Sequence, residues 1–212
     1  TPFRSEKNTN WEGGWRVPAF LRWPGKIKAG SVLNGIVSHQ DWLPTLLAAA
    51  GEPDISAKLL NGHQAGDKTF KVHIDGLNML PYLTGEVKES PRQYFFYISD
   101  DGDVLAIRVG DWKMVLAEQR AKQLMCWAEP FVKLRLPKMF NLRRDPFERA
   151  DENSNTYWDF VISHAYLLYG MQAVVAGQIE NFVKYPPRQK AAAFNLDEVM
   201  RKLDEAGGGG HH

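Results

Sequence analysis

A lysine followed by a glutamate and two glycines is the part of this sequence best suited to binding an anion. Lys7 lies in a polar loop, and Glu12, Gly13 and Gly14 precede an apolar run. Adjacent glycines permit positive φ and allow the backbone to approach a neighbouring group closely. A lysine near such a turn can reach an anion as a compact, mobile point charge. Residue types alone favour an ordinary solvated lysine, because lysine side chains are mostly exposed.

Cysteine chemistry has little support in this chain. Cys126 is the only cysteine, so neither an intrachain disulfide nor a cysteine-based metal site can be built from it. Its neighbours Met125 and Trp127 predict a small buried hydrophobe at this position. His73 lies two residues before Asp75. This pair suits a loop near a pocket, and a locally hydrogen-bonded histidine is an equally good interpretation.

The composition predicts a folded protein of nearly neutral charge. The 212 residues are 44% apolar and 12% aromatic, which is enough to build a core. The formal charge of +1 comes from 26 basic and 25 acidic residues, so we expect neither nucleic acid nor an anionic membrane as a partner. No apolar run approaches the roughly 18 residues of a membrane span.

The first 88 residues read as part of an α/β layer. Pro18 favours an edge strand or a strand start over residues 16–23, and Asp41 and Gly51 bound a predicted helix. One apolar stripe of that helix is predicted to face a core: Leu43, Leu46, Leu47 and Ala50. A long loop is expected over residues 52–75 and a short helix over residues 76–85. A lone strand–helix unit cannot bury both faces of its strand, so the rest of the sheet must come from elsewhere.

The later residues predict a small α+β layer. Charged residues without periodicity, closed by Pro91, place a domain boundary near residue 88. Four strands are expected at residues 94–98, 104–109, 112–116 and 139–142. Thr156, followed three residues later by Asp159, predicts a capping box that opens one long helix ending near Tyr185. A last helix is expected over residues 197–205, and residues 207–212 resemble a linker and the remnant of a purification tag.

Several ordered motifs give the chain a family resemblance. The segment from Lys7 to Pro18 resembles the K-x4-E-G-G-x-R-x-P signature of the sulfatase family. Five further segments are similar to sulfatase motifs and follow in family order: residues 24–27, 38–51, 75–85, 106–113 and 140–148. The resemblance covers roughly residues 7–150, and the later helices look most like bacterial arylsulfatases.

This resemblance implies the C-terminal portion of a sulfatase. The implied fold is the C-terminal part of an alkaline-phosphatase-like α/β sheet in residues 1–88. A four-stranded antiparallel sheet packed on a long helix follows in residues 89–206. The implied function is part of an arylsulfatase-like sulfuric ester hydrolase, in which Lys7 binds the sulfate and takes part in catalysis. His73 and Trp127 are weaker candidates for binding the substrate, and core packing is the alternative role of Trp127.

The cofactors of the family are expected outside this sequence. The resemblance implies a formylglycine nucleophile and a calcium ion in the full-length enzyme, and neither the modification motif nor the calcium ligands are recognisable here. We therefore expect no metal ligand in this segment, no activity of the segment alone, and a missing N-terminal sulfatase segment as its partner. The expected substrate is a small sulfate ester. Family resemblance alone suggests a periplasmic or secreted protein.

Two other functions remain open on the sequence. The chain could be a non-catalytic structural or binding fragment, as the missing nucleophile suggests. It could also belong to a phosphodiesterase or phosphonate hydrolase of the alkaline-phosphatase-like group, because sulfate and phosphate esters are similar tetrahedral anions.

Overall fold

A four-stranded antiparallel sheet forms the centre of the structure. The computed structural model describes residues 1–186. In spatial order the strands of this sheet are β3 Tyr94–Ile98, β4 Val104–Val109, β5 Trp112–Glu118 and β6 Val132–Asn141. Gly110 turns β4 into β5 with a φ of 56°, a left-handed conformation that favours glycine. The predicted sheet is confirmed, although its fourth strand begins earlier than residue 139.

Both faces of this sheet are covered. On one face, Ile107 and Met114 pack against Met171 of the C-terminal helix. On the other face, Val115 belongs to a buried cluster with Trp11. Trp11 lies in the N-terminal turn, which is formed by residues 11–16. Burial of each large apolar side chain contributes about 1.5–3 kcal/mol. The N-terminal turn is therefore packed directly on the sheet.

The predicted long helix is present in two pieces. α6 spans Tyr157–Ser163 and α7 spans Tyr166–Lys184, with a bend of 67° between them. The Ser163 hydroxyl donates to the Phe160 carbonyl at 2.9 Å, and the His164 ring nitrogen lies 2.8 Å from the same oxygen. Side chains that bond to a helix carbonyl compete with the regular ladder.

Thr156 makes no side-chain capping bond, so the predicted capping box is wrong. Over residues 1–186, no single helix is long and apolar enough to cross a membrane, and α6 with α7 meets that criterion only as a bent pair.

The predicted loop over residues 52–75 is wrong. It contains α3, Ile55–Asn61, and a hairpin of β1, His63–Ala65, with β2, Lys68–Phe70. The other short elements are α1 Glu12–Trp15, a 3-10 turn at His39–Asp41, α2 Trp42–Ala49, α4 Leu80–Thr84, a 3-10 segment at Gln123–Trp127 and α5 Ala150–Asn153. The short helix predicted over residues 76–85 forms only as α4, Leu80–Thr84, and ends at Gly85 as predicted.

The strand predicted over residues 16–23 does not form. This segment pairs with no strand among the described residues, and Phe20 within it is 92% exposed. An extended segment gains a hydrogen-bonded ladder only where a neighbouring strand is available. Here the segment therefore remains irregular.

The apolar stripe of α2 that was predicted to face the core is largely exposed, so this prediction is wrong. Leu43 and Leu46 are exposed, and Thr45 and Ala48 are buried instead. The Thr45 hydroxyl accepts the backbone N–H of Met79 at 2.9 Å, which holds the opposite side of α2 against the segment leading into α4. The domain boundary near residue 88 stays a prediction. The predicted helix at 197–205 and the tail at 207–212 lie outside the described residues.

Candidate anion-binding site

Two glycines shape the loop that carries Lys7. A Cβ built on Gly13 would lie 2.2 Å from the Ser5 carbonyl oxygen, and one on Gly14 would lie 2.6 Å from that of Glu6. Both contacts are backbone contacts, so a larger residue at either position would displace the chain. The two glycines therefore hold the residues just before Lys7 against α1.

A buried ion cluster fixes the same turn on the sheet. Lys113 of β5 and Glu148 are both 0% exposed. The Lys113 ammonium lies 3.0 Å from the Glu12 carboxylate and 2.8 Å from the Glu148 carboxylate. It also donates to the Asn10 carbonyl at 2.7 Å. Lys113 therefore binds both the turn and the polar loop before it.

Further hydrogen bonds close this cluster. The backbone N–H of Glu12 donates to the Glu148 carboxylate at 2.7 Å, and the Tyr97 hydroxyl donates to the Glu12 carboxylate at 2.5 Å. The Arg16 guanidinium lies 3.1 Å from the second oxygen of that carboxylate. Buried charges persist in proteins when they are paired and hydrogen-bonded in this way.

The cluster shifts the pKa values of its two carboxyl groups differently. Burial raises the pKa of Glu148; Lys113 partly offsets this, and the nearby charge of Glu12 adds to the rise. Burial also acts to raise the pKa of Glu12. Attraction by Lys113 and hydrogen bonds from Tyr97 and Lys113 more than compensate, so the Glu12 pKa is lowered. The pKa values of these two neighbouring carboxyl groups therefore shift in opposite directions.

This cluster was not predicted from the sequence. Its three charged members come from three separate motifs, at Glu12, Lys113 and Glu148. A signal was available at Lys113, which interrupts a strand that is otherwise largely apolar. A charged residue at a core-facing strand position indicates a buried partner, but the sequence does not identify that partner.

Lys7 and Trp127 lie side by side. The Lys7 ammonium is 5.4 Å from the centre of the Trp127 ring, within the range of cation–π attraction. The Asn8 side chain donates to the Cys126 carbonyl at 2.6 Å and joins the two loops beside this pair. Both Lys7 and Trp127 are exposed. Two of the three predicted site residues are therefore brought together.

His73 lies in a different environment. Its ring stacks on Tyr185 with 4.2 Å between ring centres. Nδ1 of His73 is 3.7 Å from the Asp75 carboxylate, which accepts a hydrogen bond from Asn181 of α7. Among residues 1–186, no described contact joins His73 to Lys7 or Trp127. A substrate-binding role for His73 stays a prediction.

The described residues do not fit the metal that the family uses. Over residues 1–186, no group of three or more His, Cys, Asp or Glu side chains is placed to hold a metal ion. Cys126 is buried, as predicted, and burial raises the pKa of its thiol. A thiol with a raised pKa is a poor nucleophile. Cys126 is therefore poorly suited to act as a nucleophile.

A cavity of about 780 Å³ lies between the sheet and residues 16–38, which form no helix or strand. Its walls include Leu21 and Leu33 from these residues and Phe95 from β3. Neither Lys7 nor Trp127 lines it. The cavity is therefore distinct from the Lys7–Trp127 pair.

Comparison with known proteins places these features in a family. The family model described as Sulfatase matches residues 1–52, which include Lys7 and both glycines. Arylsulfatase A of Homo sapiens is 33% identical over 155 residues, which cover 68% of this chain. The chain belongs to the sulfatase family. Steryl-sulfatase of Mus musculus is similar as well, with 34% identity over 95 residues that cover 45% of the chain.

A solved structure extends the sulfatase similarity to the fold. The PsFucS1 sulfatase from Pseudoalteromonas sp. matches with a TM-score of 0.68 and 26% sequence identity over 89% of this chain. The alkaline-phosphatase-like fold predicted from the motifs is thereby confirmed. This sulfatase-family chain covers 34% of that structure, 27% of arylsulfatase A and 13% of steryl-sulfatase.

Proposed function

We propose that this chain is the part of a sulfuric ester hydrolase that supplies a sulfate-binding lysine and part of the pocket rim. The observation that carries the proposal is the pairing of Lys7 with Trp127 on two loops joined by the Asn8–Cys126 hydrogen bond. Lys7 supplies the charge for the sulfate, and Trp127 supplies an apolar surface beside it. The relatives named above are sulfatases, which favours a sulfate ester over a phosphate ester.

Lys7 would act on the charge of the sulfate group. A unit charge pair at 4 Å gains about 4 kcal/mol at an effective dielectric constant of about 20, and much less in bulk water. Lys7 is exposed in the described part of the chain. The full effect therefore requires further protein surface that covers Lys7 and removes water from the pocket.

The nucleophile of the proposed reaction lies outside the 212 residues. By family resemblance this nucleophile would be a formylglycine, which would supply the attacking hydroxyl, and a calcium ion would polarise the sulfate oxygens. The role of this chain is then to bind and orient the sulfate through Lys7 and to hold that lysine through the buried cluster around Lys113. We expect no turnover by the chain alone. A missing sulfatase segment would be its partner, and export to the periplasm or cell exterior stays a prediction from the family.

Replacing Lys7 tests the proposal most simply. In the polypeptide that contains this chain together with the formylglycine segment, Lys7→Ala should lower kcat/KM for 4-nitrophenyl sulfate by about 100- to 1000-fold, comparable to loss of an oxyanion-hole donor. The matched control is Lys26→Ala, which removes an exposed lysine from another loop and should leave kcat/KM unchanged.

Either of two results would contradict the proposal. Full activity of the Lys7→Ala variant would remove Lys7 from the site. Turnover of bis(4-nitrophenyl) phosphate far above that of the sulfate ester would instead identify a phosphodiesterase, the alternative left open by the sequence.

A further inference from the structure

Lys7 lies on a loop whose two ends are hydrogen-bonded to each other. The backbone N–H of Gly13 donates to the Arg4 carbonyl at 2.8 Å, which closes residues 4–13 into one loop, the lysine loop. A Cβ on Gly13 would lie 2.4 Å from the same carbonyl oxygen, so this close approach requires glycine. The position of Lys7 therefore depends on what holds the base of the lysine loop.

The Arg4 side chain binds that base to residues 148–152. Nη1 of Arg4 donates to the Glu148 carbonyl at 2.7 Å and to the Asp151 carboxylate at 2.8 Å, and Nη2 donates to the Glu152 carboxylate at 2.8 Å. The side chains of Arg4 and Asp151 are 15% and 4% exposed. A planar guanidinium presents several donors in a fixed fork and can bind such a set of acceptors together. Arg4 is therefore held rigidly at this place.

Glu148 contacts both ends of the lysine loop. Its carbonyl accepts from Arg4, and its carboxylate accepts the backbone N–H of Glu12 at 2.7 Å. The Arg4 guanidinium also lies 3.5 Å from the centre of the Trp11 ring, within the range of cation–π attraction. Trp11 is a loop residue and only 3% exposed. Arg4 therefore joins the start of the loop, its later residues and the segment beneath it.

The backbone conformations at this place need such support. Ser5 and Asn8 of the lysine loop have φ values of 61° and 64°, and Glu148 has a φ of 52°. In residues 1–186 the only other non-glycine residue with positive φ is Gln123. Left-handed conformations of residues other than glycine persist only where the surrounding structure imposes them. The contacts of Arg4 supply this constraint next to Ser5 and at Glu148.

We infer that Arg4 is a positioning residue for Lys7, because it locks the base of the lysine loop and so fixes where the ammonium meets the sulfate. This inference rests on the proposed function. No described contact in residues 1–186 joins Arg4 to Lys7, so Arg4 acts through the backbone between them. A cation held in place beforehand stabilises developing charge without reorganisation. A displacement of about 1 Å in a catalytic group can cost about 100-fold in rate.

A conservative substitution tests the role of the guanidinium. In the polypeptide that also contains the formylglycine segment, Arg4→Lys keeps the charge but cannot bind three acceptors in a planar fork. We expect kcat/KM for 4-nitrophenyl sulfate to fall by about 10- to 100-fold. The loss should fall mainly on kcat, because a displaced Lys7 still attracts the sulfate but no longer aligns with the transition state. The matched control, Arg143→Lys, changes an arginine whose side chain is 73% exposed and should leave both constants unchanged.

A double-mutant cycle separates positioning from general stability. If Arg4 acts through Lys7, Arg4→Lys should change kcat/KM by less than about 2-fold in the Lys7→Ala background. A role in stability alone would give the same loss in both backgrounds. Urea unfolding shows whether each variant is folded in the assay. Should Arg4→Lys not fold, Asp151→Asn weakens the same contact from the other side and should show the same dependence on Lys7.

The outcomes distinguish this inference from the function on which it rests. Unchanged kcat/KM in folded Arg4→Lys, or an equal loss with and without Lys7, would overturn the role of Arg4. The sulfatase proposal would then stand as long as Lys7→Ala alone is impaired. Full activity of Lys7→Ala would overturn the proposed function and the positioning role with it.

Discussion

The position of Lys7 depends on charged residues that it does not contact. Lys113 binds the Asn10 carbonyl and the Glu12 carboxylate, and Glu148 binds the backbone N–H of Glu12. These contacts fix the chain three to five residues after Lys7. The sheet and the N-terminal turn are thereby joined through one fully buried ammonium group. Lys113 is therefore a positioning residue for the proposed sulfate site.

Removing the Lys113 ammonium should be strongly destabilising. Lys113→Met keeps an unbranched apolar stem but removes the cation that the Glu12 and Glu148 carboxylates share, and leaves only Arg16 beside Glu12. Breaking a buried ion pair on one side commonly costs about 3–5 kcal/mol, and urea unfolding would measure this loss. Lys133→Met is the matched control, because Lys133 is an exposed lysine in the same sheet. A Lys113→Met variant as stable as this control would contradict the structural role of the cluster.

At the scale of elements, the two halves of the described chain differ in how their backbone is satisfied. β4 and β5 lie inside the sheet and are paired on both sides. Residues 17–23 form no helix or strand and pair with no strand among the described residues, and Val17 and Phe20 are exposed. Backbone groups without a ladder partner depend on water or on another chain for their hydrogen bonds. The segment therefore gains no stability from sheet pairing within the described residues.

Hydrogen exchange should resolve this difference. In the isolated chain, amides of residues 17–23 should exchange at rates close to those of an unfolded peptide, because they lack ladder bonds. Amides of Val104–Val109 should be protected up to the free energy of global unfolding. Exchange measured by mass spectrometry on monomeric protein gives both in one experiment. Strong protection across residues 17–23 would contradict the account of this segment.

The sequence predicted elements well where the pattern also described their surroundings. The hairpin around Gly110 followed from alternating strands and a turn glycine, and α4 followed from Gly85. The hairpin at residues 63–70 was missed because most of its side chains are exposed, so no apolar alternation marks it. For α2, periodicity located the apolar stripe, but it could not show which face would be covered.

The candidate site shows the same limit. The motif around Gly13 and Gly14 predicted Lys7, and the glycine contacts explain why that motif needs them. The proximity of Lys7 to Trp127 could not be derived, because 119 intervening residues fold into the sheet between them. The cluster of Glu12, Lys113 and Glu148 depends on the same long-range packing.

The whole molecule leaves several surfaces open that a sulfatase would need to cover. Within residues 1–186, Lys7 is exposed, residues 17–23 have no partner strand, and a cavity of about 780 Å³ separates residues 16–38 from the sheet. One additional body of protein would account for all three features by pairing the strand, filling the cavity and enclosing the lysine. The chain's share of its relatives, 27% of arylsulfatase A, agrees with this interpretation.

The mass of the native protein under denaturing conditions tests this account most directly. The 212 residues correspond to 24.1 kDa. The account predicts that the active preparation contains a polypeptide well above that mass, or a second polypeptide, which carries the formylglycine residue. A single species of 24.1 kDa that hydrolyses sulfate esters by itself would contradict it.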